Sequence, residues 1–484
     1  MTALRLAVRT FQFLDQVRFA ELSGDYNALH LDPLLARREL FGEVVVHGIH
    51  AAAWLLESWL AKHPVLTPHK FSKLEASFPA PIRLDRAIEA RLFSKSGGDA
   101  PSAVLEAWDG ALRLARLEVT LTPVSNHLGL RGTPSSNMTE PRFVDLESIG
   151  EERGEIELYL PAALAEGEFP LLSKALTKCN FGELLALTRL VGMVCPGARS
   201  LFSALHIEGS EVNARSCLSY EVTRVVPTFS AVRLAVEGPQ IRGVLDTFYR
   251  PRPESQPTCA ELRTAITPAA FKGQVALVIG GSRGIGEVTA KMVAAGGGFP
   301  VITYHRGQED AARVVADIEA AGGAARAIEL EVGEPEPGIV KLFADGLVLT
   351  HLYYFASRKI FVKKLGIFDP TLFDDFTQVY VHGLAKTLDA IRVRCKSPLT
   401  LFYPSSVAIN DLTRGLEEYV AAKAAGEALV AMLGARDPAL VTHVERLPRI
   451  VTDQTTSLVR APAERAEDIM KPILHSLHQS QSNQ

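Results

Sequence analysis

Tryptophan is scarce in this chain of 484 residues, with 3 copies, and methionine (6) and cysteine (5) are little more frequent. The cysteines are Cys179, Cys195, Cys217, Cys259 and Cys395; their number is odd and no two stand in a C-x-x-C spacing. That argues against a disulfide framework or a cysteine-based structural zinc site, and it fits a reducing compartment. The thiols read as small buried hydrophobes. A basic excess is also missing. Against 51 Lys and Arg stand 55 Asp and Glu, a net charge of -4, which argues against a dedicated nucleic-acid binder. No segment reaches the ~18 uninterrupted apolar residues of a membrane span. Arg, Gln and Asp break up the start, MTALRLAVRTFQFLDQVRFAELSGD, so it does not read as a signal peptide, and the expected location is the cytoplasm. What is present, 47% apolar and 22% charged residues, is ordinary for a globular protein.

At roughly 150 residues per domain the length predicts about three domains. Two Pro-, Gly- and Ser-rich stretches, 125–143 and 250–270, divide the chain into 1–124, 144–250 and 271–484. In the first segment GIHAAAWLLESWLAKH is a helical run too apolar for a surface, predicted to be wrapped by a sheet. Leu112, Leu114, Leu117, Val119 and Leu121 roughly alternate as in a half-buried strand, and Asp109-Gly110 before them signals a hairpin. The second segment repeats this plan weakly. A helical run in FGELLALTRLVGMVCPG ends at Pro196-Gly197, and the strand-like runs LSYEVTRVV, SAVRLAVEG and IRGVLDTFYRP follow. One helix with several antiparallel strands, twice, suggests a tandem duplication. In the third segment apolar strands alternate with helical runs, which predicts a doubly wound parallel sheet.

The third segment opens with VALVI followed by GGSRGIG, residues 280–286. Gly280, Gly284 and Gly286 enclose Ser282, Arg283 and Ile285 between a strand and a helix. Glycines there turn tightly and let backbone N–H groups approach a pyrophosphate; a plain strand–helix turn is the alternative. The stretch resembles the short-chain dehydrogenase/reductase family, whose motif is TGxxxGxG, with Ile279 in place of the Thr. Ser406, thirteen residues before Tyr419, and Lys423, four after it, match the family's catalytic spacing. RLPRIVTD resembles its PG-x-x-x-T stretch, with Arg449 in place of Gly.

The resemblance implies a Rossmann-type fold and makes Ser406, Tyr419 and Lys423 catalytic. It also implies cofactor contacts from Gly280, Ser282, Arg283, Gly284, Ile285, Gly286, Arg306, Tyr419 and Lys423. The chemistry is plain. A phenol of pKa near 10 is a weak acid–base group at neutral pH, and a lysine one turn along the helix can favour its ionisation. A serine hydroxyl can hold the substrate oxygen. Arg283 in the loop and Arg306 after the second strand suit a ribose 2′-phosphate, so the expected cofactor is NADP(H). Three positions depart from the family: YFAS stands for NNAG, Tyr380 for the Asn that supports the proton relay, and Glu331 for an Asp.

FAELSGDYNALHLD in the first segment holds Asp25, Asn27 and His30 as D-x-N-x-x-H, and FGEVVVHG precedes the long helix. With FPAPI further on, this resembles the MaoC-like, R-specific enoyl hydratase/dehydratase family of hotdog fold. The resemblance makes Asp25 and His30 the catalytic pair, with Asn27 and Gly48 on the substrate. A carboxylate and an imidazole can together polarise one water. A backbone N–H opening a buried helix can stabilise the thioester enolate. Helix capping is the other reading of Ser23 and Asp25. His47 and His50 complete no zinc-like spacing and read as structural or pocket-lining. The second segment has no D-x-N-x-x-H and reads as a degenerate hotdog; no base can be named for Cys195.

The expected whole is an α+β double hotdog followed by an α/β Rossmann-type doubly wound parallel sheet. The expected activity is NADPH-dependent reduction of a 3-ketoacyl thioester, on coenzyme A or an acyl carrier protein, followed by dehydration to the trans-2-enoyl thioester. Hydration followed by NAD-dependent oxidation is one alternative. A working hydratase with a non-catalytic reductase-like binding module is another, and a hotdog thioesterase a weaker one. No nucleic-acid or membrane partner and no metal is expected, and the family resemblance suggests a homo-oligomer.

Overall fold

The computed structural model describes residues 3–65, 67–96, 100–124, 129–133, 139–211, 215–361, 366–458 and 461–482. The stretch 125–143, read as a linker, lies partly outside them. The chain forms two compact units: Met1–Arg252 with Ser457–Arg460, and Pro253–Thr456 with Ala461–Gln484.

The first unit takes in both of the first two segments. The first contributes β1 (Leu4–Thr10), β2 (His69–Ser77), β3 (Ala87–Ser96), β4 (Ser102–Asp109) and β5 (Leu112–Pro123). The second contributes β6 (Arg153–Glu157), β7 (Ser200–Gly209), β8 (Cys217–Val226), β9 (Ala231–Glu237) and β10 (Ile241–Tyr249). All ten form one sheet in the order β1-β3-β4-β5-β2-β7-β10-β9-β8-β6. Read from either edge inward, each half runs first, third, fourth, fifth, second strand of its own segment. The two segments thus share one strand order.

The halves meet at an antiparallel seam between β2 and β7, from Lys73↔Glu208 to Ser77↔Ala204. Gly209 belongs at its end, because a Cβ there would stand 2.4 Å from the Phe71 carbonyl oxygen. The hairpin predicted at Asp109-Gly110 is present, with Gly110 at φ +56 as the left-handed turn residue.

Each half buries one central helix. Gly48–Leu60 is apolar on almost every side and is buried along nearly its whole length. Lys178–Arg189 is buried likewise and runs into a π-turn, Leu190–Val194. One apolar core spans both halves, from Trp54 and Leu55 to Phe181, Leu184 and Leu205.

In the second unit β11 (Val275–Ile279), β12 (Phe299–Tyr304), β13 (Arg326–Glu329), β14 (His351–Tyr354), β15 (Leu399–Ser406) and β16 (Leu440–Leu447) are all parallel. Their order is β13-β12-β11-β14-β15-β16. The strand order reverses at β11, which puts a crevice at the carboxyl ends of β11 and β14, where such sheets bind ligands. The four residues of β14 are all buried, as a sheet covered on both faces requires. No described helix is long and apolar enough to cross a membrane.

Candidate active sites

In the first unit the helix Phe13–Ser23 stops at Gly24, whose φ of +74 makes a left-handed cap. A Cβ there would also stand 2.2 Å from the Tyr159 hydroxyl. The chain then turns inward and buries Asp25 to 2% exposure. One carboxylate oxygen of Asp25 accepts from the Asn27 N–H at 3.2 Å. The other accepts from the Thr188 hydroxyl at 2.7 Å. Burial pushes the Asp25 carboxyl up to about 6, against the pull of these two donors and of Arg189.

His30 places Nδ1 2.7 Å from the Val45 carbonyl oxygen. That bond puts the ring proton on Nδ1 and leaves Nε2 with its lone pair. Burial pulls His30 down to about 4, assisted by the charge of Arg250 and opposed by the Val45 bond. At neutral pH Asp25 is therefore ionised and His30 neutral. Both line a cavity of about 280 Å³. Its other walls are largely apolar, among them Phe78, Ile82, Leu114 and Val191.

Gly48 lines the same cavity and opens the buried helix. Its N–H is one of the four with no partner inside the helix. A Cβ at this position would press on the Phe78 ring at 3.1 Å.

Asn27, expected on the substrate, is engaged by the protein instead. Its Oδ1 caps the short helix Ala28–Leu31 by accepting from the Leu29 N–H at 3.1 Å. Its Nδ2 donates to the carbonyls of Gly192 and Gly197 at 2.9 and 3.1 Å. Asn27 is not among the cavity-lining residues. Capping, the alternative weighed for Asp25, belongs to Asn27.

His47 and His50 do not line the cavity either. His47 sets Nδ1 3.0 Å from Gln16 Oε1 and Nε2 3.1 Å from the Asp25 carbonyl oxygen. His50 stacks on Phe19 at 4.5 Å. Donor atoms of Asp25, His30 and His47 lie within 4.8 Å of one another. The two imidazoles, however, stack face to face at 3.8 Å, so their in-plane lone pairs run side by side rather than converge as metal coordination requires.

In the second unit the glycine loop has the shape its spacing predicts. Gly280 and Gly284 hold φ +75 and +60. A Cβ on Gly286 would stand 2.3 Å from the Gly280 carbonyl oxygen. The helix Gly284–Ala295 begins inside the loop. Ser282, Arg283 and Ile285 are half-buried in it, and Arg283 lies 3.9 Å from Asp453. Arg306 is exposed just past β12.

Ser406 ends β15, and Tyr419 and Lys423 lie one turn apart on the helix Glu417–Arg436. Burial pushes the Tyr419 phenol up, and the neighbouring Ser406 hydroxyl opposes this. Lys423 turns its ammonium to the Pro404 carbonyl oxygen at 2.7 Å. Burial pulls Lys423 down to about 7. Its Nζ lies 4.1 Å from the centre of the Tyr380 ring and 4.8 Å from that of Tyr403. Tyr380, which stands for the family's Asn in the sequence, thus offers Lys423 a ring face. Its hydroxyl meets Ser357 Oγ at 2.7 Å.

The MaoC like domain family matches residues 7–100, and the short chain dehydrogenase family matches residues 274–345. An NADPH-dependent aldehyde reductase-like protein of Arabidopsis thaliana is 30% identical over 185 residues, 34% of this chain and 67% of that protein. The chain belongs to the short-chain dehydrogenase family and carries a MaoC-like domain ahead of that part. A 3-oxoacyl-[acyl-carrier-protein] reductase of Synechocystis is 39% identical over 103 residues, 21% of this chain and 39% of the relative. Protein MaoC of Klebsiella aerogenes is 38% identical over 90 residues, 18% of this chain and 26% of the relative. The matches thus span well under half of those two relatives. A solved short chain dehydrogenase from Burkholderia cenocepacia, in complex with NADP, is similar over 43% of this chain and 91% of its own, at 24% identity and a TM-score of 0.38.

The short-chain dehydrogenase part fits a nicotinamide cofactor, since its glycine loop turns tightly through left-handed Gly280 and Gly284 and opens directly into the helix Gly284–Ala295, whose first N–H groups can meet a pyrophosphate. In the first unit further buried charged residues near the motif come from outside it. Glu39, Arg199 and Arg250 form a buried ionic triad, with Glu39 2.7 Å from Arg199 and 2.6 Å from Arg250. Arg250 also reaches Asn27 Oδ1 at 3.4 Å. The one signal for this triad was a pair of arginines flanking the strands of the second segment.

Proposed function

We propose that this protein is a bifunctional enzyme of acyl-thioester chemistry. It reduces a 3-ketoacyl thioester with NADPH to the (R)-3-hydroxyacyl thioester and dehydrates that product to the trans-2-enoyl thioester. The observation that carries the reading is the Asp25–His30 pair, one ionised and one neutral, in an apolar cavity that Gly48 also lines.

In the dehydration direction the pair takes the C2 proton and returns a proton to the departing C3 hydroxyl, which leaves as water. Charge moves onto the thioester oxygen as an enolate, and the Gly48 N–H at the helix start stabilises it. The apolar walls suit an acyl chain. The mirrored strand order supports a double hotdog whose second copy has lost its own acid–base pair.

In the other half bound NADPH supplies the hydride. Tyr419 gives its phenolic proton to the ketone oxygen, and the neighbouring Ser406 hydroxyl holds that oxygen. The guanidinium groups of Arg283 and Arg306 support NADPH over NADH, because they suit a 2′-phosphate. The carrier is coenzyme A or an acyl carrier protein. Holding both activities on one chain raises the local concentration of the intermediate.

The test is to incubate the full chain with NADPH and acetoacetyl-CoA, follow absorbance at 340 nm and identify products by mass spectrometry. NADPH loss with crotonyl-CoA formation is expected. Hydration of added crotonyl-CoA without NADPH oxidation favours a second reading, a hydratase carrying a silent reductase-like domain. The ammonium of Lys423 on Pro404 and the Tyr380 ring in place of an amide favour that reading.

A further inference from the structure

We propose that Thr188 is a positioning residue of the hydration site, a side chain from the second, motif-less half that holds the Asp25 carboxylate in place and in its ionised form. The proposal rests on the hydration reading above and extends it to a part of the chain that carries none of the D-x-N-x-x-H motif.

Thr188 lies in the last turn of the helix Lys178–Arg189 and is 3% exposed. A threonine hydroxyl inside a helix ordinarily bonds the carbonyl one turn back. This one reaches across 163 residues of sequence to Asp25 Oδ2, at 2.7 Å. The π-turn that follows brings Gly192 against the same carboxylate. A Cβ at 192 would stand 2.1 Å from Asp25 Oδ1, so no larger residue fits there with Asp25 in place. The Gly192 carbonyl in turn accepts from Asn27 Nδ2 at 2.9 Å. A short stretch of the second half therefore grips both Asp25 and Asn27.

The other charged or titratable groups facing Asp25 act less directly. Arg189 favours the ionised form through space, while its guanidinium donates to the carbonyls of Ser23 and Glu157. His47 contacts the Asp25 backbone oxygen rather than its carboxylate. His30 shares the cavity, and Arg250 reaches Asn27. Thr188 is the side chain that donates to the carboxylate itself. A hydrogen bond to the charged form favours that form, so its removal shifts Asp25 toward the protonated state.

The experiment compares Thr188→Val, which keeps the shape and loses the donor, with Thr188→Ser, which keeps the donor. Two readouts are taken on the full chain: the pH dependence of kcat/KM for crotonyl-CoA hydration, and the titration of Asp25 by NMR of carboxyl-labelled aspartate without substrate. In the Val variant both the acid limb and the titration move up by about one pH unit, and the rate at pH 6 falls roughly fivefold while recovering toward pH 8. The Ser variant stays near wild type. A folded Val variant with an unmoved titration and limb overturns the proposal. If the Val variant does not fold, Thr188→Ala carries the same expectation. If the wild-type protein hydrates no enoyl thioester, the hydration reading fails, and the Asp25 titration alone decides whether Thr188 holds the carboxylate.

Discussion

Around Asp25 the chain buries charges against charges, whereas around Lys423 it buries a charge against rings and a backbone carbonyl. Glu39 ties Arg199 to Arg250, and Arg250 reaches the asparagine that caps the motif loop. Lys423 meets Pro404 and the faces of Tyr380 and Tyr403; Glu427 acts on it only through space and is itself bonded to Arg446. The difference separates two ways of fixing a polar site. Ion pairs fix geometry but fail badly when one member is removed. Ring faces tolerate change, but they stabilise the charge weakly, and Lys423 is pulled down to about 7.

The largest expected effects separate the two sites outright. Asp25→Asn removes the base and lowers crotonyl-CoA hydration by about 10²–10⁴-fold, with NADPH oxidation unchanged. Tyr419→Phe does the reverse. Loss of both activities from either substitution would mean that the sites are not independent.

Next comes the ionic scaffold. Glu39→Gln leaves two buried guanidinium groups sharing a neutral amide, which costs about 3–5 kcal/mol of stability. Urea denaturation followed by tryptophan fluorescence reads this in the first unit, because all three tryptophans, Trp54, Trp59 and Trp108, lie there. A loss under about 1 kcal/mol would place the triad with surface ion pairs and remove the contrast between the sites.

The buried titrations give slopes of opposite sign. Asp25 is raised to about 6, so ionising it opposes folding, and wild-type stability falls as pH rises from about 4 to about 6. Asp25→Asn removes that fall and is the more stable protein above pH 6, by about 3 kcal/mol. Lys423 is lowered to about 7, so its protonation opposes folding, and stability rises with pH from about 7 toward the ordinary lysine value. Lys423→Met flattens that rise. Melting temperature against pH for the two variants checks both signs.

The parts of these sites that the sequence revealed are local. D-x-N-x-x-H sits on one turn and GGSRGIG on one loop, and the family resemblance these short stretches carry implied Asp25, His30 and the glycine cradle. Tyr419 and Lys423 are just as local, sharing a helix face. The contacts that complete the sites join residues far apart, as Thr188 does with Asp25 and Arg250 with Glu39, and no periodicity carries that information. Gly192 was the nearest to a signal: a glycine in an apolar helical run asks for a close approach, but not to what. Among the strands, the pattern named β4, β5 and β8 to β10, along with most of the parallel sheet. It did not name β1, β2, β3, β6 or β7. In HKFSKLEAS lysines interrupt the alternation, and it becomes regular only once the bulge between Phe71 and Lys73 is known. The cap of Asn27 and its two carbonyl acceptors were not legible, because they form only when the second half is in place.

The smallest effect tests the weak side of the comparison. If the Tyr380 ring face stabilises the ammonium, Tyr380→Leu removes about 1–2 kcal/mol from the charged form of Lys423 and lowers its titration by about one pH unit. Tyr380→Phe keeps the face and loses only the bond to Ser357, so it leaves the titration in place. NMR of Cε-labelled lysine follows both variants without requiring turnover. A Leu variant that titrates like wild type would assign the ammonium to the Pro404 carbonyl and Tyr403 alone. Tyr380 would then be a packing residue, and the position where the family carries Asn would have no part in holding the charge.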